Sequence, residues 1–228
     1  MEWYFARVGS LTFDLFYKDI KNFFYADTVL RDFTQNGVTL PVEVRIADNY
    51  SGHGKIKGAE VAWQQSFTFL PGLLNGFGVN ASYTYLDSSG LPNSFLNGGA
   101  AANTGNFSSS NGHLPLEQLS KHTVNAELFY EKGPVSIRAA YNWRSKFLLT
   151  AADVIFPYAP IFQDAYGQLD ASAFINVAKQ FKLGVQGVNL TDSITKTLQA
   201  YTGDPSLLAP RSYFMTDRRY SVILRGTF

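Results

Sequence analysis

The sequence predicts an all-β protein, a transmembrane antiparallel β-barrel to which this chain contributes about nine strands. Three observations predict it: segments that alternate strictly between apolar and polar residues, connections that alternate between short and long, and aromatic residues at both ends of the segments. The composition agrees, with 46% hydrophobic, 15% aromatic and only 16% charged residues among 228. No stretch of about 18 residues is apolar throughout, so the sequence encodes no transmembrane helix.

Composition and charge exclude several kinds of function. Nineteen basic residues against 18 acidic residues leave a net charge of +1, which argues against a nucleic-acid partner. There is no cysteine for a disulfide framework or a cysteine-based metal site. The histidines, His53, His113 and His122, are far apart in the sequence, so we expect no metal and no other cofactor.

The predicted strands are defined by period-two alternation, which places successive side chains on opposite faces. Residues 77–85 show it without exception, because Phe, Val, Ala and Tyr occupy one parity and Gly, Asn, Ser and Thr the other. Residues 2–8 are too short to judge alone, and residues 182–190 alternate less regularly. In chain order the predicted strands are residues 2–8, 11–18, 58–69, 77–85, 123–130, 135–143, 168–177, 182–190 and 219–228.

The two faces of these strands have different character. The apolar face continues from strand to strand, whereas the other face carries charges, which indicates lipid on one side and a hydrated lumen on the other. A soluble sandwich is the alternative, and it would need these charges outside and the aromatic residues inside. The charged positions are Glu60, Glu127, Arg138, Arg144, Asp170, Arg219 and Arg225.

The connections fall into two alternating classes. Short turns are predicted at residues 8–10, 70–76, 131–134 and 179–181, and long connections at residues 27–53, 88–119, 150–165 and 191–216. Outer-membrane barrels have short turns in the periplasm and long loops outside. Aromatic residues lie near both ends, as expected for two membrane interfaces. They are Phe67, Phe69, Phe77, Tyr130 and Phe228 at the short-turn ends, and Tyr17, Tyr85, Tyr141 and Trp143 at the long-loop ends.

An odd number of strands indicates a larger barrel. Bacterial single-chain barrels close with even strand numbers, and an open sheet would leave unpaired edges in lipid. The first residues, MEWYFARVGS, also lack the regions of a signal peptide. We therefore expect residues 1–228 to be the C-terminal part of a longer barrel.

Three segments carry a specific family resemblance: Gly54-Lys-Ile-Lys-Gly-Ala-Glu-Val61, Val188-Asn-Leu-Thr-Asp192 and the terminal Arg219-Tyr220…Phe228. They resemble the closing half of TonB-dependent outer-membrane receptors. Leu116-Glu-Gln-Leu-Ser-Lys-His122 together with Tyr141-Asn-Trp-Arg144 looks most like the subgroup common in Xanthomonas- and Caulobacter-type bacteria.

The resemblance implies a 22-stranded barrel in the outer membrane of a Gram-negative bacterium, occluded by an N-terminal plug that a TonB box precedes. Neither plug nor TonB box is found in residues 1–228, so TonB would act only through an N-terminal part absent from this chain. Family members take up ferric siderophores, vitamin B12, haem or oligosaccharides. The chain is therefore expected to be no enzyme, although a small lipase- or protease-like outer-membrane barrel is the alternative.

Candidate substrate-binding residues lie mainly in the long connections. Residues 88–116 contain no Asp, Glu, Lys or Arg, and such a loop can hydrogen-bond sugars and stack aromatic rings on them. For residues 88–116 a flexible exposed loop is the alternative. For the aromatic residues of the other long connections the alternative is small cores that fold these loops; the residues are Phe156, Tyr158, Phe162, Tyr201, Tyr213 and Phe214. We expect an oligosaccharide substrate, with a ferric siderophore second, because Arg138 and Arg144 on the charged face could bind an anion. Pairing of these charges across strands is the alternative. The candidates are Phe95, Phe107, Arg144, Phe156, Tyr158 and Tyr201.

The terminal strand is the last candidate site. Tyr220, Val222, Leu224 and Phe228 share one parity, and in the family such an ending resembles the signal that the barrel-assembly machinery reads. An exposed strand edge is a template for strand addition, which suits that role. Phe228 as a simple interface aromatic is the alternative.

Deletion of Phe228 from the full-length parent tests the assembly signal. We expect a lower level in the outer membrane with unchanged synthesis, because the machinery would lose its terminal aromatic. Immunoblots of membrane fractions and of whole cells measure the two quantities. An unchanged surface level would leave only the interface role.

Overall fold

The structure is a computed structural model that describes residues 1–6, 8–93, 114–153, 155, 159–200 and 206–227. Strands dominate these residues, and the one short 3-10 helix among them spans Gly72–Gly76. The strands are β1 (Glu2–Ala6), β2 (Gly9–Gln35), β3 (Val38–Ser66), β4 (Phe77–Ser89), β5 (His122–Lys132), β6 (Val135–Arg144), β7 (Phe147–Thr150), β8 (Ile161–Gln163), β9 (Tyr166–Asn176), β10 (Phe181–Val188), β11 (Ile194–Gln199), β12 (Ala209–Met215) and β13 (Arg219–Gly226).

Nine strands form one antiparallel sheet, here called the main sheet, in the order β1-β2-β3-β4-β5-β6-β9-β10-β13. These are the nine strands that the alternation predicts, and each pairs with its neighbour in that list. The all-β barrel prediction is confirmed. In the parts of the chain that the structure describes, no helix has the length and apolar character needed to cross a membrane.

The register of the main sheet keeps the apolar side chains on a single face. Trp63 of β3 lies opposite Leu11 and Ala81, Ala81 lies opposite Ala126, and Ala126 lies opposite Tyr141. Directly opposed residues share a face, so the rows continue across the strands. Large apolar side chains of this face are exposed, among them Leu15, Leu128, Val222 and Leu224. This face therefore has the chemistry of a lipid-facing surface.

Three phenylalanines interrupt the polar face, and each lies over a glycine of the next strand. Phe16 covers Gly58, Phe129 covers Gly78 and Phe174 covers Gly184, so closely that a Cβ on each glycine would lie 2.1–2.5 Å from the ring. Aromatic rings commonly cover cross-strand glycines in this way. A cation lies over each ring at 5.4–5.9 Å, from Lys18, Arg138 and Arg225 respectively. The polar face therefore stays hydrated despite these rings.

The prediction of a long connection at residues 27–53 is wrong. β2 and β3 continue as paired strands to a tight turn at Asn36-Gly37, where both residues have positive φ, 51° and 78°. Asn-Gly with two positive φ values is the preferred two-residue hairpin turn. β4 pairs with β3 only as far as Lys55, so the hairpin projects beyond its neighbour as a two-stranded ribbon.

Two further boundaries differ from the prediction. β3 ends at Ser66, so Phe67 and Phe69 lie in the turn that follows and not in a strand. Residues 150–165 and 191–216 are not loops throughout, because they contain β8, β11 and β12. Together with β7 these strands form a second antiparallel sheet, here called the loop sheet, in the order β12-β11-β8-β7.

The loop sheet has its own small hydrophobic core. Leu148, Ala151, Ala152 and Phe162 are buried together, and Leu114, Leu198 and Leu208 pack against them. The alternative of small cores in the long connections is therefore the correct one for Phe162. Tyr213 and Phe214 of β12 remain exposed. The loop sheet follows the ends of β6 and β10, so it lies at the long-loop end of the main sheet.

Arginine substitutions on the two faces test the orientation of the main sheet. Ala139 lies on the apolar face opposite Leu128 and Ala171, whereas Ser136 lies on the polar face opposite Glu131. Ala139→Arg should cost about 2–4 kcal/mol because it places a charge in lipid near the membrane centre, and Ser136→Arg should cost little. Folding titrations of the full-length protein in lipid vesicles measure both, and equal costs would contradict the assignment of the faces.

Candidate substrate-binding mouth and lumen wall

The mouth, meaning the long-loop end of the main sheet with the loop sheet, is held by a buried ion pair. Arg211 donates from Nε and Nη2 to Oδ2 of Asp153, both at 2.8 Å. Gln199 adds a third hydrogen bond to the same oxygen at 3.0 Å. The Asp153 side chain is only 6% exposed, so these charge-assisted bonds are needed to keep the carboxylate satisfied. Arg211 is therefore occupied in joining β12 to the segment after β7.

Three other basic residues near the mouth, Lys57, Lys121 and Arg218, are also paired. Lys57 and Lys121 both approach the Asp87 carboxylate, with Nζ to oxygen distances of 3.6 and 3.1 Å. The hydrogen bond to Asp87 raises the pKa of Lys121 above its ordinary value, with a smaller Coulombic contribution. Arg218 lies 3.6 Å from Asp192. These pairs are half-exposed and weak as stabilising contacts, but they reduce the positive field at the mouth.

Arg144, predicted as an anion-binding residue, lies at the end of β6 and contacts the loop sheet. Its Nη2 donates to Gln163 Oε1 at 3.2 Å, and its guanidinium carbon lies 4.3 Å from the centre of the Phe147 ring. This is close for a cation–π contact. Among the described residues Arg144 makes no ion pair. It positions β7 and β8, and no carboxylate among the described residues neutralises its positive charge.

The polar face of the main sheet forms a groove of about 440 Å³, here called the lumen-wall groove. Its polar lining is Ser10, Thr12, Gln64, Asn80, Ser82, Asn125, Glu127 and Asn142. Asn80 donates to Glu127 at 3.1 Å, and Asn125 donates to Ser82 at 3.3 Å. Amides offer both donors and acceptors, so the groove can bind uncharged polar groups.

The sequence interpretation did not single out the lumen-wall groove. The signal was present in the polar parity of residues 77–85, 123–130 and 135–143, where amides and hydroxyls recur. What alternation could not show is that the register aligns them in adjacent rows. Ser82, Asn125 and Asn142 lie side by side because β4, β5 and β6 pair in that register.

A charged network lies on the same face, closer to the short turns. Arg138 donates to Glu131 at 2.7 Å and to Glu127 at 3.4 Å. The sequence suggested that Arg138 could bind an anion or pair across strands, and it pairs. Among the described residues, no group of three His, Asp or Glu side chains could hold a metal ion.

The other predicted site residues lie partly inside and partly outside the described residues. Tyr220, Val222 and Leu224 lie on the exposed apolar face of β13, opposite Gly187, Val185 and Leu183. Their role in assembly stays a prediction. The remaining candidates lie outside the described residues: Phe95, Phe107, Phe156, Tyr158, Tyr201 and Phe228.

The Asn-Leu-Thr-Asp segment joins three strands at the mouth. Asn189 is fully buried with a positive φ of 56°. Its backbone N–H donates to Asp170 at 2.8 Å, and its side-chain oxygen accepts from the Ser193 N–H at 2.8 Å. Its amide nitrogen lies 3.3 Å from acceptors on Ser193, Thr216 and Asp217. This residue therefore ties the end of β10 to β9 and to the approach of β13.

Comparisons with known proteins agree with this architecture. The family model described as "TonB dependent receptor-like, beta-barrel" matches residues 1–190. The siderophore receptor PiuA from Acinetobacter baumannii is 18% identical, with a TM-score of 0.57 over 98% of this chain and 26% of its own. The ferric-catecholate import receptor Fiu from K12 E. coli is 16% identical, with a TM-score of 0.54 over 97% and 26%.

A third similar structure is the copper transporter OprC, which is 13% identical with a TM-score of 0.56 over 99% of this chain and 30% of its own. At such identities these structures support the fold alone. The chain spans between 26% and 30% of the length of these three proteins. No curated protein sequence matches it.

Substitution of Asn189 tests the junction at the mouth. Asn189→Ala should lower the free energy of unfolding by about 1–3 kcal/mol, because the hydrogen bonds of the buried Asn189 side chain to Ser193, Thr216 and Asp217 are lost. Asn142→Ala is the control, since that amide lies in the open lumen-wall groove. Urea unfolding of the full-length protein in lipid vesicles measures both, and equal stability of the two variants would contradict the structural role.

Proposed function

The chain belongs to the TonB-dependent receptor β-barrel family, and we propose that it forms part of the wall and mouth of an outer-membrane transporter for oligosaccharides. Receptors of this family are outer-membrane transport proteins. The rest of the barrel, the plug and the segment that TonB contacts would come from the parts of a full-length receptor that lie outside residues 1–228. Residues 1–228 would supply a share of the substrate contacts and no energy coupling of their own.

The observation that carries the substrate proposal is the pairing of basic side chains at the mouth. Anionic ligands are drawn to sites where positive charge is not compensated. Here Arg211 is held by Asp153, Lys57 and Lys121 share Asp87, and Arg218 approaches Asp192. Lys146 beside β7 and Lys196 of β11, like Arg144, make no ion pair among the described residues. The four pairings still reduce the positive charge of the described mouth, which favours an uncharged ligand over an anionic one.

Two surfaces have the chemistry that a sugar chain needs. On the loop sheet, Tyr213 and Phe214 are 58% and 55% exposed on opposite faces of β12, and either ring can stack on the apolar face of a sugar ring. On the inner side, the amides and hydroxyls of the lumen-wall groove can hydrogen-bond sugar hydroxyls. A mouth for stacking and a wall for hydrogen bonding fit an oligosaccharide. The resemblance to the Xanthomonas- and Caulobacter-type subgroup supports the same substrate.

A ferric siderophore is the second candidate, and Arg144 is the observation that favours it. Arg144 keeps its charge at the junction of β6 with the loop sheet and could meet an anionic ligand. The enzyme alternative has no support, since the matching family and the similar structures are receptors and transporters.

Binding to the purified full-length receptor distinguishes the two substrates. With an oligosaccharide series as ligands, the double variant Tyr213→Ala/Phe214→Ala should weaken binding by up to about tenfold, given about 0.5–1.5 kcal/mol for an aromatic contact. Arg144→Gln should leave the binding of neutral sugars unchanged. Calorimetry measures the affinities. In a second measurement, expression of the parent gene is compared between growth on oligosaccharides and growth under iron limitation.

The opposite pattern would overturn the oligosaccharide assignment. It consists of induction by iron limitation alone, tight siderophore binding that Arg144→Gln weakens, and no binding of any sugar in the series.

A further inference from the structure

The turn between β3 and β4 carries exposed apolar side chains at the short-turn end of the main sheet. This segment, residues 67–76, is called the β3–β4 turn. Phe69, Leu73 and Leu74 are 72%, 73% and 51% exposed. The turn contains no Asp, Glu, Lys or Arg. A contiguous apolar surface of this kind marks a contact with a partner or a membrane.

The β3–β4 turn presents these side chains in a fixed arrangement. Leu70 N–H donates to the Phe67 carbonyl at 2.9 Å, and Leu74 N–H donates to the Pro71 carbonyl at 3.2 Å. Gly72 has a φ of +60°, where a side chain would be strained, and it begins the 3-10 helix. The turn is therefore an ordered element.

Contacts with β5 show on which side of the sheet the turn lies. Tyr130 and Lys132 belong to the apolar face, because Tyr130 lies opposite Phe77 and Ile137 and Lys132 lies opposite Val135. Lys132 Nζ donates to the Gly72 carbonyl and, at 2.8 Å, to Asn75 Oδ1.

A Cβ on Gly76 would lie 2.8 Å from the Tyr130 ring and 2.9 Å from Lys132 Cβ. The lipid-facing side chains of β5 therefore reach the turn directly. The turn leans toward the lipid-facing side and not over the lumen.

We propose that the β3–β4 turn is a membrane anchor that buries Phe69, Leu73 and Leu74 at the boundary between headgroups and acyl chains of the periplasmic leaflet. The turn continues a surface that already faces lipid, since Phe77 and Tyr130 pack edge to face beside it with ring centres 4.8 Å apart. Aromatic and leucine side chains favour that boundary.

Lys132 completes the anchor. Its aliphatic stem lies along the turn, while its ammonium satisfies a turn carbonyl and a side-chain amide. Lysines at membrane ends place the stem on apolar surface and the charge among polar groups in this way. An amide and a carbonyl that would otherwise enter the boundary unpaired are thereby satisfied. The proposal rests on the family and the geometry of the turn, and it is independent of the substrate.

Site-directed labelling tests the anchor, and the absence of cysteine from residues 1–228 makes this direct. In a cysteine-free full-length receptor, Leu73→Cys is labelled with a small environment-sensitive fluorophore. The receptor is reconstituted in vesicles of phosphatidylethanolamine and phosphatidylglycerol whose acyl chains are brominated near the headgroup. We expect bromine to quench the fluorophore strongly. Leu74→Cys gives a second position at which the same result is expected.

The matched control is Lys179→Cys, an exposed, originally charged position in the turn between β9 and β10 at the same end of the sheet. Its quenching should be several-fold weaker than at residue 73. Equally weak quenching at residues 73 and 179 would overturn the proposal. So would a fluorophore at residue 73 that is shielded from aqueous iodide but not quenched by brominated lipid, because a protein segment would then cover the turn.

Discussion

The main sheet depends on one constraint: backbone N–H and C=O groups that enter lipid must be paired within the protein. Nine strands meet it by pairing in an unbroken antiparallel order. Because paired residues share a face, the same ladders that satisfy the backbone also align the apolar side chains, as the row from Leu11 through Trp63, Ala81 and Ala126 to Tyr141 shows. A shift of one residue in any strand would turn its apolar set toward the lumen. The same strand pairing therefore satisfies the backbone groups and forms the lipid-facing surface.

The opposite face follows from the same register but is governed by charge and hydration. Carboxylates and cations meet across strands, as Arg138 does with Glu127 and Glu131. Toward the mouth the same principle holds for Arg211 with Asp153. What remains between the charged groups is a band of amides and hydroxyls, the lumen-wall groove. Neutralised cations together with open amides are the physical basis for proposing an uncharged, hydroxyl-rich substrate.

The connections at the two ends of the main sheet are stabilised in different ways. At the long-loop end, chain that leaves the sheet folds on itself, with the small core around Leu148 and Phe162 and the junction at Asn189. At the short-turn end there is little chain to build a core. The β3–β4 turn instead stays apolar and lies against Tyr130 and Lys132 on the lipid-facing side. One end is stabilised by its own packing, and the other is proposed to use the membrane.

The sequence by itself determined the nine strands of the main sheet and their faces, because period-two alternation is local and can be read within one segment. It did not predict the four strands of the loop sheet. It also contained the turn at Asn36-Gly37, although the long connection predicted at residues 27–53 missed it. Only the tertiary structure decided the contacts between distant segments. Asp153 and Arg211 are 58 residues apart, and Lys132 lies 60 residues from Gly72. No local pattern encodes such pairs, because they depend on which strands become neighbours and in which register.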